Sequence, residues 1–374
     1  MEQGRITWPQ LGMLMYLMVG ATSVLIVPSV TAKYAHQDLW MTPFIGSVVG
    51  FASLYMALRL YRYYPNQSII QYGEHLLGKW IGGTANLVWL FFLWQNTGVI
   101  LREYGEFIVG SVLLRTPQSV VNICLIFVCA LAIRGGIEVL GKFALLIAPL
   151  FLGFVIFIPL LLTPEMDVLQ ITPVLENGWK PVLKGSLLPM EWFMEFVLVS
   201  FILPHATGQR SPWRWLSLPI VLMLGTMVLL NLTCLFVFGE LTSMYTFSVF
   251  NAAKYISLGN IIEHIEAIVM VLWIMGGFVQ ISSWFYILVI GTAQSFRIRD
   301  YRPLVFPIGI LIVAMSLWIV DDISEMTKLF TTSGAVFAAA VQICYPALLL
   351  LIAMWKHRTR ETKYREQRDS SSAT

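Results

Sequence analysis

Two glutamates one helical turn apart, Glu191 and Glu195, stand inside an otherwise apolar stretch of the chain. In such a stretch a carboxylate is costly enough to mark function, and Glu191 is placed to receive an ammonium group or to carry protons. The role of Glu195 stays open. A second charged cluster, Arg102, Glu103 and Glu106, follows another apolar run. Arg102 and Glu106 are spaced to pair on one helix face, so the cluster reads as an ion-pair group in an outer vestibule, able to gate access. The third signal is uncharged: Gly20, Ala21, Thr22 and Ser23, then β-branched residues and Pro28. A small residue followed by hydroxyls lets a helix unwind and offers partners to the freed peptide groups. Peptide groups bared in this way can hold a ligand in the middle of a membrane. Gly185, Ser186 and Pro189, just before Glu191, repeat the pattern. Gln95 and Asn96 in one run, and Gln280, Ser282 and Ser283 in another, add polar groups at depth that line a cavity or tie helices together. The expected substrate-binding set is therefore Gly20, Ala21, Thr22, Ser23, Gln95, Ser186, Glu191, Gln280 and Ser283.

The elements that must position these groups are membrane spans. Hydrophobic residues make up 57% of the 374, charged residues 12%, and mean hydropathy is +0.75. A soluble domain carries about twice that charge. A net charge of +3 is too small to suggest nucleic acid. Cys124, Cys129, Cys234 and Cys344 all lie in apolar segments, with neither a disulfide framework nor metal-ligand spacing. The first apolar run, Ile6 to Ala32, holds no charge and is long enough to cross about 30 Å of hydrocarbon. It lacks a small-residue cleavage site after it, so it is expected to remain in the mature protein.

Nine further runs follow, near residues 39–58, 80–101, 116–133, 143–163, 182–206, 215–238, 267–296, 303–320 and 329–355. Glu263 and His264 precede the eighth span, and Asp321 and Asp322 follow the ninth. With the amino end inside, Lys and Arg, including Arg210, gather strongly on the inner side, as the positive-inside rule requires. The chain then forms one integral domain, 1–374: a first repeat over about 6–163, a Pro-rich connection over 164–181, a second repeat over 182–355, and a polar, mobile cytoplasmic tail over 356–374. Breaks in spans one and six are five helices apart, which suits two oppositely oriented halves with a site between them. The fold class is an all-α polytopic membrane protein, a LeuT-like 5+5 inverted repeat with helices one and six broken.

The opening Ile6-Thr7-Trp8-Pro9-Gln10, the Gly20 to Pro28 segment, and Lys33-Tyr34-Ala35-His36-Gln37-Asp38-Leu39-Trp40 recur in order with Leu101-Arg102-Glu103-Tyr104, Leu272-Trp273-Ile274 and Gly277-Phe278. By these motifs the chain resembles the spore germination permease family, the B subunits of nutrient germinant receptors, within the amino acid–polyamine–organocation superfamily. The resemblance implies residence in the inner membrane of the bacterial spore and assembly with an A subunit and a lipoprotein C subunit. It also implies recognition of a small germinant, an amino acid or sugar. No catalytic triad, P-loop, metal spacing or dinucleotide turn occurs, so neither enzyme activity nor a cofactor is expected. A ligand sensor, a proton-coupled amino-acid transporter working through Glu191, and a passive water or ion conduit all fit the residues.

Overall fold

A computed structural model describes residues 4–208, 212–256, 265–320 and 323–372; Arg210, Glu263, His264, Asp321 and Asp322, which marked span ends above, lie outside them. A two-residue strand, β1 (Ile6–Thr7), leads into α1 (Trp8–Ala35). Thr7 caps that helix: its N–H donates to Gln10 Oε1 at 2.9 Å, and Pro9 sits in the first turn, where its missing N–H costs nothing. A 3-10 turn (His36–Met41) joins α1 to α2 (Thr42–Tyr63). The short amphipathic α3 (Ile69–Leu77) is capped by Ser68 and precedes α4 (Lys79–Ser111), α5 (Gln118–Arg134) and α6 (Ile137–Leu162).

Span six is a composite. It consists of α7 (Trp179–Gly185), α8 (Leu187–Met194), a 3-10 turn (Glu195–Leu198) and α9 (Val199–Ile202). It ends at β2 (Ala206–Thr207), which pairs with β1 so that Ile6 faces Ala206 and Thr7 faces Thr207. The start of α1 and the end of span six therefore lie together, and the two segments run in opposite senses. Then come α10 (Pro212–Phe238), α11 (Ser248–Ala253), α12 (Ile265–Ser295), α13 (Val305–Trp318), α14 (Ile323–Thr331) and α15 (Ser333–Ala339). A π-helical turn (Ala340–Cys344) connects α15 to α16 (Tyr345–Ser372). The polar tail is thus a helical extension of the last span; its Lys, Arg and Glu are good helix formers.

Among the described residues, six stretches are long and apolar enough to cross a membrane, and one of them, Trp8–Tyr63, contains both α1 and α2. Two shorter apolar helices, Gln118–Arg134 and Arg302–Trp318, accompany them. At the centre lies α1, buried over nearly its whole length between α10, α12 and α6, as expected of a helix apolar on every side. Lipid gives helices no hydrophobic reason to associate, so close approach through small residues does that work. On α2, Gly46 and Gly50 stand four residues apart against Phe193 of α8; an added Cβ would lie 2.9 and 2.8 Å from its ring. On α12, Gly277 makes room for the Tyr104 ring of α4.

The break expected in span one is absent. Helix α1 runs unbroken through Gly20 and Pro28, with hydroxyls turned back onto its own carbonyls. Ser23 Oγ donates to Gly20 O at 2.9 Å, Ser29 Oγ to Ile26 O at 2.8 Å, and Thr31 Oγ1 to Val27 O at 2.6 Å. These are hydroxyls bonding back into their own helix, the alternative to lining a gap. Span six is interrupted at Ser186, between α7 and α8, and changes to 3-10 geometry over Glu195–Leu198, beyond the Ser186–Pro189 stretch that suggested a break.

Candidate ligand-binding site

One face of α4 carries Asn96, Val99, Ile100 and Glu103, the i, i+3, i+4, i+7 series that a helix brings into line. This face meets Glu191, Trp192 and Glu195 of span six and Thr22 of α1 around a small closed cavity. Phe330 of α14 and Gln342 of the π-helical turn complete the wall. The cavity measures about 20 Å³, enough for one water molecule. It is therefore shut: a ligand of several heavy atoms enters only if the wall moves.

Thr22 is the hub of that wall. Its Oγ1 accepts from Trp192 Nε1 at 3.0 Å and from Gln280 Nε2 at 2.8 Å, while its N–H donates to Gln280 Oε1 at 3.0 Å. Three elements, α1, α8 and α12, are thereby joined at one side chain. Trp192 in turn meets Phe330, with ring centroids 5.6 Å apart at 51°. Asn96 Nδ2 donates to Phe92 O within its own helix at 3.0 Å.

The carboxylates are placed differently. Glu103, Glu191 and Glu195 are 1%, 7% and 8% exposed, as deeply buried as their apolar neighbours. Glu103 Oε1, Glu191 Oε2, Glu195 Oε2 and Gln342 Oε1 find no hydrogen-bond partner among the described residues. No Lys, Arg or His lines the cavity. Buried carboxylates without a counter-charge are costly, which singles out this spot from the rest of the bundle. Among the described residues no three His, Cys, Asp or Glu stand close enough to hold a metal ion.

The expected site residues divide. Thr22 and Glu191 line the cavity, and Gln280 holds Thr22 in place. Gly20 faces α10, where an added Cβ would lie 3.3 Å from Met223 Sδ, and Ala21 faces Gly276 of α12. Ser23 and Ser283 bond back to Gly20 O and to Val279 O at 2.7 Å, and Ser186 to Leu183 O at 2.8 Å. None of these five is in the cavity lining. Gln95 is half-buried and stands outside the cavity lining, one position before Asn96, which is in it. The expected Arg102, Glu103 and Glu106 cluster is split. Arg102 and Glu106 pair at 2.6 Å, whereas Glu103, about 100° round the helix from Arg102, turns into the cavity. Sequence reasoning overlooked Gln342 and Phe330. The available signal for Gln342 was a lone amide in the apolar run Ala340 to Cys344, at a place where a π-helical turn commonly marks a functional site.

A model of the family described as spore germination protein matches residues 5–322. Spore germination protein KB of Bacillus subtilis (strain 168) is 26% identical over 375 residues, a span of 98% of this chain and 99% of that protein. Among solved structures, a substrate-bound, outward-open Na+-coupled sialic acid symporter superposes with a TM-score of 0.66, covering 91% of this chain and 79% of that one at 10% identity. The nucleobase-cation-symport-1 family transporter Mhp1, in a closed conformation with bromovinylhydantoin bound, gives 0.64 over 90% and 77%, also at 10% identity. The fold is that of LeuT-like transporters, and the family is not one of enzymes.

Proposed function

The chain belongs to the spore germination protein family, and from that premise we propose that it is the nutrient-germinant-sensing membrane subunit of a spore germination receptor. It binds a small amino acid or sugar between α1 and span six, against α4, and signals to an A subunit and a lipoprotein C subunit. In this reading it crosses the inner membrane of the spore ten times as two five-span repeats, with both termini cytoplasmic.

The observation that carries the proposal is the shut cavity between α1, α4 and span six. A site with room for one water binds nothing larger in this conformation, so a ligand must select a conformation in which the wall has opened. Such a ligand differs in affinity between two states, the one property that converts binding into a signal. Moving the population from 1:99 to 99:1 takes a preference of about 10⁴, or about 5.5 kcal/mol. Displacing Trp192 and Phe330 from their mutual contact gives the opening a structural origin. Ile100→Phe, which fills the cavity from α4, tests the reading: spores carrying it should lose their response to an amino-acid and sugar panel at normal receptor abundance. An unchanged response would refute the site.

A second reading is a proton-coupled amino-acid transporter using Glu191. It is favoured by the LeuT-like fold and by a buried carboxylate at the meeting of the two halves. Counterflow in vesicles reconstituted with the purified protein separates the two: sustained exchange of substrate belongs to the transporter and overturns the pure sensor.

A further inference from the structure

We propose that the group this cavity is built to receive is a primary ammonium, so that the ligand is an amine and not a neutral sugar. The inference rests on the cavity being the ligand site and adds the chemistry of what enters it. Its ground is that four buried oxygens of the wall stand without a partner, Glu103 Oε1, Glu191 Oε2, Glu195 Oε2 and Gln342 Oε1, and with the three carboxyl groups ionised all four are acceptors. Two of the wall's side-chain donors are engaged elsewhere, Trp192 Nε1 with Thr22 Oγ1 and Asn96 Nδ2 with Phe92 O. A ligand that satisfies these four oxygens must bring donors to them. An ammonium does so, with three N–H bonds and one positive charge.

Charge points the same way. Three carboxylates line the cavity with no basic residue among its walls, and a cation entering would be the first counter-charge they meet. A sugar hydroxyl brings an acceptor with every donor, and two of its lone pairs would face carboxylate oxygens. The spacing also separates an ammonium from a small divalent metal ion. The carboxylates form no group tight enough to hold a metal ion, whereas N–H bonds of about 2.9 Å radiating from a nitrogen span a wider ring. The volume of one water suits the ammonium head, and Trp192 and Phe330 line the same space. The carbon skeleton must then displace the aromatic pair, which ties recognition of charge to opening of the wall.

The test uses the purified full-length protein in nanodiscs at neutral pH, with thermal stabilisation and calorimetry as readouts. Probes are ethylammonium, ethanol as its neutral counterpart, glucose, and Na+ and K+ as chlorides. The expected result is saturable stabilisation by ethylammonium alone. Glu191→Gln and Glu195→Gln should each weaken it about tenfold, while Glu240→Gln on an exposed turn leaves it unchanged. Should either amide variant fail to fold, Gln342→Leu supplies the same test with no change of charge and should weaken binding measurably. Stabilisation by Na+ or K+ equal to that by ethylammonium would make this an alkali-cation site and overturn the proposal. Binding of glucose that Ile100→Phe abolishes, with no effect of ethylammonium, would overturn it and leave the cavity as the ligand site. If Ile100→Phe alters the binding of no probe, both readings fall.

Discussion

Thr22→Val is the most informative single change. It keeps the shape of the side chain and removes the oxygen that accepts from Trp192 at 3.0 Å and Gln280 at 2.8 Å. Two donors are then stranded where Thr22 and Gln280 are fully buried and Trp192 nearly so. Interhelical hydrogen bonds inside membranes average about 0.6 kcal/mol and reach about 1.7, so losing two should cost about 1–3 kcal/mol. Thermal unfolding in detergent reads the loss. A cycle with Trp192→Phe and the double variant isolates the Thr22–Trp192 bond, whose coupling should be about 0.5–1.5 kcal/mol. Ser23→Ala is the control. It removes a neighbouring hydroxyl that bonds only within α1 or weakly to Met223 Sδ, and should cost less than about 0.5 kcal/mol. Because Trp192 lines the cavity in contact with Phe330, Thr22→Val should also shift the germinant concentration needed for response, whereas Ser23→Ala should not. Equal effects of the two variants, or zero coupling in the cycle, would refute the idea that Thr22 joins three helices at the site.

The remaining expectations follow from contacts. Gly20→Ala moves only the flexible end of Met223 and should leave abundance normal, whereas Gly20→Leu wedges α1 from α10, costs about 1–3 kcal/mol and depletes the protein from the membrane on an immunoblot. Gly50→Val places a branched carbon where a bare Cβ already stands 2.8 Å from the Phe193 ring, so it should separate α2 from α8 and lower the midpoint of unfolding. Arg102→Gln breaks a partly exposed ion pair with Glu106, and should change stability by less than about 1 kcal/mol and leave the germinant panel unaltered. Altered ligand selectivity in Arg102→Gln would restore the Arg102–Glu106 pair to the site.

Much of this was legible in the residues. Apolar runs gave the helices, because a stretch such as Ile6 to Ala32 has no other way to satisfy its backbone in lipid. A polar side chain in such a run must answer to something, so Thr22, Gln280 and Glu191 could be named at once. What failed was the inference from Gly20 and Pro28 to a broken helix. Whether such residues unwind a helix depends on whether free peptide groups gain anything by unwinding. In α1 the hydroxyls of Ser23, Ser29 and Thr31 turn back onto the helix carbonyls, and Gly20 serves instead to let Met223 approach. Both uses draw on the same residue types, so composition alone does not separate them.

By itself, then, the sequence determined that this is a membrane protein of the spore germination family, and which side chains are too polar for their surroundings. Only the tertiary structure decided what those side chains face. Periodicity fixes the angle between Arg102 and Glu103 on α4, yet not which of the two points inward; that depends on which neighbour packs there. It was the meeting of α4, span six and the π-helical turn that put Glu103, Glu191, Glu195 and Gln342 around one small space. Residues 103, 195 and 342 are brought together by packing between helices, and no local rule along a chain encodes a distance between them.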